Sequence, residues 1–172
     1  SSAASDVYKR QSNDTTVRVW DTRTGRETLK LEGHRLSVLD VKFSPDGARL
    51  ASGSDDNTVR LWDSRTGREL RQLQGHTATV VSIAFSPDGR LLASTSQDET
   101  MRIWDTKNGK ELQTLTGHSL TVLDVAFSPD GSRLVSAGFD ETVRFWDVET
   151  GNELHTLKGH TRPVYSVTFS PD

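Results

Sequence analysis

His34, Ser52 and Asp56 are the residue types of a charge-relay hydrolase: a nucleophile, a base to take its proton and a carboxylate to orient that base. Such chemistry needs one serine activated by one neighbouring base, with oxyanion donors held at a special turn. The same trio recurs as His76, Ser94 and Asp98, and again as His118, Ser136 and Asp140. A tryptophan accompanies each set, at Trp62, Trp104 and Trp146. An enzyme rarely needs three equivalent triads, and no Gly-x-Ser-x-Gly elbow is present. A structural reading accounts for the fourth residue as well. If His reaches Asp while Ser bridges to the indole N–H, four polar groups satisfy one another in a half-buried site. The sequence favours the clamp over the nucleophile.

The elements that must position these groups follow from an internal repeat. Gly-His, Trp-Asp and Phe-Ser-Pro-Asp each occur four times at a constant spacing of 42 residues, and every tryptophan belongs to a Trp-Asp pair. Residues 33–74 and 117–158 agree at 26 of 42 positions, which chance cannot produce. Within a unit the apolar pattern has period two, the signature of strands. Leu39, Val41 and Phe43 alternate with Val38, Asp40 and Lys42. Ser-Pro-Asp-Gly supplies a turn, with proline setting φ and glycine accepting the positive φ that leaves it. A second strand is expected at Arg49–Ser52, a tight turn at Asp55-Asp56-Asn57, a third strand at Thr58–Trp62 and a fourth near Glu69–Leu73. Val59 and Leu61 should share one face of the third strand, opposite Arg60 and Trp62. Four short strands cannot bury both faces alone, so the units must stack, and radial stacking makes a propeller.

Gly-His, Ser-Pro-Asp-Gly, Leu-x-Ser-x-x-x-Asp-x-Thr and Trp-Asp together resemble the WD40 (β-transducin-like) repeat, over residues 12–172. The resemblance implies an all-β propeller of four-stranded antiparallel blades, each pinned by a Trp–Ser–His–Asp hydrogen-bond tetrad. It also implies peptide binding by loops on one face near the channel. Fold alone leaves function open.

The division expected is a non-repeat segment at 1–11 and a repeat domain at 12–172. That domain comprises a partial blade at 12–32, full units at 33–74, 75–116 and 117–158, and a partial unit at 159–172. Tyr8-Lys9-Arg10-Gln11 stands where other units have Leu-Ala-Ser-Gly, so residues 1–11 read as a cloning remnant or a sequence artefact. About four blades is few for a ring that typically has about seven. Three readings follow: a fragment of a longer ring, two chains forming an eight-bladed ring, or a strained four-bladed closure. Closure would bring His160 to Asp14 at a defective tetrad lacking its serine.

Lys+Arg number 21 against 24 Asp+Glu, interspersed, which argues against a nucleic-acid or membrane-surface binder. No apolar run approaches the ~20 residues of a membrane span. The lack of cysteine fits an intracellular, cytoplasmic protein and excludes a thiolate metal site. No phosphate loop, zinc spacing or EF-hand is present, so no metal or cofactor is expected. Arg18, Arg60, Arg102 and Arg144 recur at one strand position and suggest ion pairs between blades.

Positions that vary beside the constant ones are free to recognise a partner. Arg35 and Leu36, Leu120 and Arg162 follow the repeated histidines, while Asp55, Gln97 and Phe139 precede the tetrad aspartates. Phe139, an aromatic where other units are polar, forms the centre of the expected patch with Leu120, Arg35 and Arg162. The expected function is a non-catalytic scaffold binding a protein or peptide. The alternative is a regulatory or sensory module of a larger kinase or nucleotidase protein.

Overall fold

The computed structural model describes residues 7–10 and 14–171, the first of these as backbone only. All regular structure in it is β. The strands are β1 (Val7–Arg10), β2 (Val17–Asp21), β3 (Glu27–Leu31), β4 (Val38–Phe43), β5 (Arg49–Ser54), β6 (Val59–Asp63), β7 (Glu69–Leu73) and β8 (Val80–Phe85). They continue with β9 (Leu91–Ser96), β10 (Thr100–Asp105), β11 (Glu111–Thr116), β12 (Val122–Phe127), β13 (Arg133–Gly138), β14 (Val143–Asp147) and β15 (Glu153–Leu157). Sequential pairing gives one three-stranded sheet, β1–β3, and three four-stranded sheets, β4–β7, β8–β11 and β12–β15. Every pairing is antiparallel. These sheets are blades of a β-propeller.

Local chemistry explains each reversal. Between β4 and β5, Ser44 Oγ donates to Asp46 Oδ1 at 2.5 Å, Ala48 N–H donates to the same oxygen, and Gly47 takes φ 68°. Between β6 and β7, Asp63 Oδ1 accepts the N–H and hydroxyl of Thr66, each at 2.7 Å. The aspartate of each Trp-Asp pair is thus a turn cap.

Stacking produces three cores, one at each junction between neighbouring sheets. Val59, Leu61 and Leu73 of one sheet meet Val80, Ile83, Leu92 and Trp104 of the next. Met101, Ile103 and Leu115 likewise meet Val122, Val125, Leu134 and Trp146. The third strand therefore buries both faces, aliphatics toward the following blade and tryptophan toward the preceding one.

One expectation from alternation changes. Val38 is buried while Leu39 is half-buried, because a β-bulge between Val38 and Asp40 resets the register at the start of β4. The same irregularity recurs at Val80/Ser82 and Val122/Asp124. It leaves an inner-strand N–H outside the ladder, and carboxylates collect these groups. Asp40 accepts from Val41 N–H at 2.8 Å and from Ile83 N–H of the next blade at 3.0 Å.

Strand β1 pairs with β2 as β5 pairs with β6, Tyr8 lying opposite Trp20 as Leu50 lies opposite Trp62. Beyond β15, residues 159–171 pack on the fourth sheet without joining a ladder. Val164 N–H donates to Gly138 O at 3.2 Å, and the Phe169 ring meets Phe145 at 5.9 Å. Among the described residues no hydrogen bond links 159–171 to 14–32.

Candidate functional site

In the second sheet, Trp62 Nε1–H donates to Ser52 Oγ at 2.9 Å, and Ser52 Oγ lies 2.7 Å from His34 Nε2. His34 Nδ1 lies 2.9 Å from Asp56 Oδ2. The third sheet repeats these contacts through Trp104, Ser94, His76 and Asp98, within 0.1 Å for each contact. The fourth repeats them through Trp146, Ser136, His118 and Asp140. One proton arrangement satisfies every member: indole N–H to serine oxygen, serine O–H to Nε2, and Nδ1–H to carboxylate. Burial of the imidazole lowers each histidine pKa, against the opposing pull of its aspartate, so the rings are neutral at pH 7. Burial works against ionisation of Asp56 and Asp98, but their hydrogen bonds outweigh it and hold both near pKa 2. For Asp56 the donors are the Thr58 hydroxyl, Arg35 N–H and His34.

This hydrogen-bond order is that of a charge relay, yet the oxygen is inaccessible. Ser52, Ser94 and Ser136 are each 0% exposed. The side that a substrate carbonyl would approach is filled by the indole.

The four-residue reading omitted several members of the cluster. Thr58, Thr100 and Thr142 donate their hydroxyls to the aspartates at 2.6–2.8 Å. The recurrent Asp-x-Thr was the signal for them. The recurrent arginines pair within their own sheets rather than between blades. Arg60 binds Glu69 at 2.5 Å, Arg144 binds Glu153 at 2.6 Å, and Arg102 binds Glu111. Adjacent third and fourth strands place the pair side by side, which spacing alone did not disclose. These pairs lie over the Gly-His glycine: a Cβ on Gly75 would meet Arg102 Nη1 at 2.7 Å, Glu111 Oε2 at 2.8 Å and the Trp104 ring at 3.1 Å.

The outer sets differ. In the first sheet Asp14 accepts from the Thr16 hydroxyl and pairs with Arg18. His160 is exposed, without a partner among the described residues. The fourth cluster is also distinct. Ser54 and Ser96 brace the turn by donating to Leu36 O and Ala78 O, but the equivalent residue is Gly138. A Cβ there would stand 2.8 Å from His118 Nδ1.

The varying positions lie beside these clusters. Asp55 N–H donates to Ser37 O, Gln97 N–H to Thr79 O and Phe139 N–H to Thr121 O, each at 2.9 Å. Each residue before a tetrad aspartate is thereby joined to the loop after the histidine of its own blade. Arg35 and Leu36 share a blade with Asp55, Leu120 shares one with Phe139, and Arg162 lies in the segment tied to Gly138. Arg35, Leu36, Gln97, Leu120, Phe139 and Arg162 are exposed, while Asp55 is half-buried. At 41% exposure Phe139 meets the Tyr165 ring edge-to-face at 6.1 Å, and Tyr165 is 69% exposed. Tyr165 escaped the sequence reading because it stands in a strand column filled elsewhere by Leu39, Val81 and Leu123.

The WD domain, G-beta repeat model matches residues 25–63, 67–105, 109–147 and 151–172, which is most of the chain. The chain belongs to the WD40 repeat family. It is 49% identical to Coronin-7 of Mus musculus over 49 residues, covering 28% of this chain and 5% of Coronin-7. Against the guanine nucleotide-binding protein subunit beta of Solanum tuberosum it is 44% identical over 55 residues, covering 31% of this chain and 15% of that protein. The chain therefore spans only a small part of the curated relatives it matches. WD40 repeats of this kind support protein interaction in general terms. Among the described residues no helix is long and apolar enough to cross a membrane.

Proposed function

We propose that this WD40 chain is a non-catalytic scaffold that binds a protein or peptide on the rim bearing the His and Asp loops. The observation that carries this reading is the solvent-facing aromatic pair Phe139–Tyr165, in which Phe139 stands on a turn held by its N–H bond to Thr121 O and Tyr165 lies in the segment after β15. Large aromatics left in water beside polar loops are the usual anchors of an interface. Leu120, Leu36, Arg35, Arg162, Gln97 and Asp55 supply the surrounding contacts. A cleft of about 370 Å³ lined by Arg35, Arg60, Gln72 and Gln74 opens between the second and third blades. The clamps His34–Ser52–Asp56–Trp62, His76–Ser94–Asp98–Trp104 and His118–Ser136–Asp140–Trp146 serve to set blade geometry. Their sealed serine oxygens speak against hydrolysis.

The repeat domain of this proposal is 12–172. Residues 7–10 follow the repeat in backbone register but not in residue type, and 1–11 is kept as a separate segment. A cytoplasmic location belongs to the same proposal, as does a second copy of the chain at the blade ends. A place as a module within a larger protein is compatible with all of it.

The test is Phe139→Asp, compared with the unaltered chain for partner capture. The variant should fold normally by circular dichroism and lose at least tenfold in partner affinity, about 1.4 kcal/mol. Undiminished capture by a folded variant removes the patch. A fluorophosphonate serine probe should label neither protein.

A further inference from the structure

The turn that joins β10 to β11 departs from its counterparts at one position. Thr24-Gly25, Thr66-Gly67 and Thr150-Gly151 close the other such turns, but this one carries Asn108-Gly109. Each of those threonine hydroxyls donates to its capping aspartate, Asp21, Asp63 or Asp147, at 2.7–3.0 Å. Asn108 has no hydroxyl to give. Its N–H donates to Asp105 Oδ1 at 3.0 Å, and its own Oδ1 accepts the N–H of Lys110 at 2.7 Å. That second bond closes a small ring whose members include the Asn108 carboxamide carbon and the Gly109 nitrogen. Asn108 is exposed, so water reaches the carboxamide.

No other asparagine is placed in this way. Asn13, Asn57 and Asn152 precede Asp14, Thr58 and Glu153, whereas Asn108 precedes glycine. Glycine has no Cβ to shield its nitrogen or to resist a change of backbone angle. The Lys110 N–H bond draws electron density from the carboxamide carbon, which makes it a better electrophile. One bond opposes attack by the neighbouring nitrogen: Gly109 N–H donates to Asp105 O at 2.8 Å.

We propose that Asn108-Gly109 is a site of spontaneous covalent modification that slackens the junction between the second and third blades as the protein ages. Hydroxide takes the Gly109 N–H proton, and the nitrogen forms a bond to Asn108 Cγ. The carboxamide C–N bond breaks, its electron pair leaves on nitrogen, and water supplies the proton that completes ammonia. A cyclic succinimide remains. Water adding at Cγ opens it to aspartate. Water adding at the former main-chain carbonyl gives isoaspartate, whose chain runs through Cγ and is longer by a methylene. Nothing is oxidised or reduced.

The consequence follows from what holds this turn. Arg49 Nη1 donates to Thr106 O at 3.1 Å and Arg71 Nη2 to Lys107 O at 3.4 Å, both from the second sheet. A Cβ on Gly109 would stand 3.1 Å from Leu73 Cδ2, part of the core between the two sheets. A longer main chain at position 108 displaces the atoms that make these contacts. Three Asp-Gly pairs supply an internal comparison. Asp46, Asp88 and Asp130 fold back alike, each Oδ1 accepting the N–H two residues on at 3.0 Å. Hydrogen bonds from Ser44, Ser86 and Ser128 and from those N–H groups hold the three ionised, Asp130 at about 2. A carboxylate carbon resists a nucleophile that a neutral carboxamide admits, so chemistry as well as place singles out Asn108.

The test incubates the 172-residue chain and its Asn108→Thr variant at pH 7 and pH 8, with peptide mass spectrometry and isoaspartate-specific carboxyl methylation as readouts. The expected result is amide-to-acid conversion at Asn108 ahead of every other asparagine, with isoaspartate in excess. The rate should rise by up to about tenfold at the higher pH, since the nitrogen must first lose a proton to hydroxide. Retention of the amide in the folded chain while a urea-unfolded sample converts overturns the proposal, as does equal isomerisation at the Asp-Gly pairs. A rate independent of pH overturns the succinimide route. The urea midpoint of the aged chain should fall below that of equally aged Asn108→Thr, and equal midpoints overturn the slackening. Freshly made Asn108→Asp has the charge without the longer chain and should lose less. A fall as large as that of the aged chain would assign the loss to charge and overturn the slackening too. These outcomes are independent of partner capture through Phe139.

Discussion

Ser94 joins two buried groups that have no other partner among the described residues, the Trp104 indole N–H and His76 Nε2. Ser94→Ala strands both without removing any apolar contact of consequence. The expected loss is about 2 kcal/mol, the usual penalty for unsatisfied buried polar groups, read from the urea midpoint. Loss of activity is not the readout, because the serine oxygen is sealed. The three residue types of a hydrolase were legible in the sequence, and so was their tryptophan. Whether they met was a question of distance, and repetition stood in for it: an arrangement copied at every junction serves the junction. Glu69 and Tyr165 were harder to find. Glutamate is common in exposed strands, and a tyrosine in a strand column reads as core until its neighbour turns out to be Phe139.

Strands and turns were the most legible level, since period-two patterning and Ser-Pro-Asp-Gly each carry a local mechanism. The bulge that starts every inner strand was not. It shifts one residue without altering composition, so Val38 rather than Leu39 is buried. Its consequence is electrostatic, because N–H groups freed from the ladder are gathered by Asp40 and Asp124 across blade boundaries. Ser82 separates those two carboxylates. Ser82→Asp would put three acidic groups in line and should destabilise the chain by roughly 2 kcal/mol. Salt screens such repulsion, so the loss should be smaller in 1 M sodium chloride, where the Debye length is about 3 Å. An equal loss at both ionic strengths would assign the effect to packing instead.

At the scale of the whole molecule, three nearly identical clamps titrate together. Each histidine pKa is lower in the fold than its unperturbed 6.5, so above that pH both states are neutral and stability is flat. As pH falls below about 6.5 the unfolded chain binds protons that the fold resists, and stability declines until the folded pKa is passed. A second decline begins near 4, where Asp56 and Asp98 protonate in the unfolded chain but remain ionised in the fold to about 2. Urea midpoints from pH 8 to pH 4 should therefore fall steadily below pH 6.5. A rise over that range would mean that the buried rings carry charge. Stacking order was legible from the constant 42-residue spacing.

Asp40, Ser82, Asp124 and Ser166 stand at one repeat position and alternate in kind, which bears on how such a gene can change length. Unequal crossing-over between near-identical repeats adds or deletes units freely at the DNA level. Gain or loss of one unit would set two aspartates or two serines side by side, whereas gain or loss of two restores the order. Changes inside the array that keep this order come in steps of 84 residues rather than 42, and a comparison of repeat number with the residue in this column across related genes would test whether the order is kept.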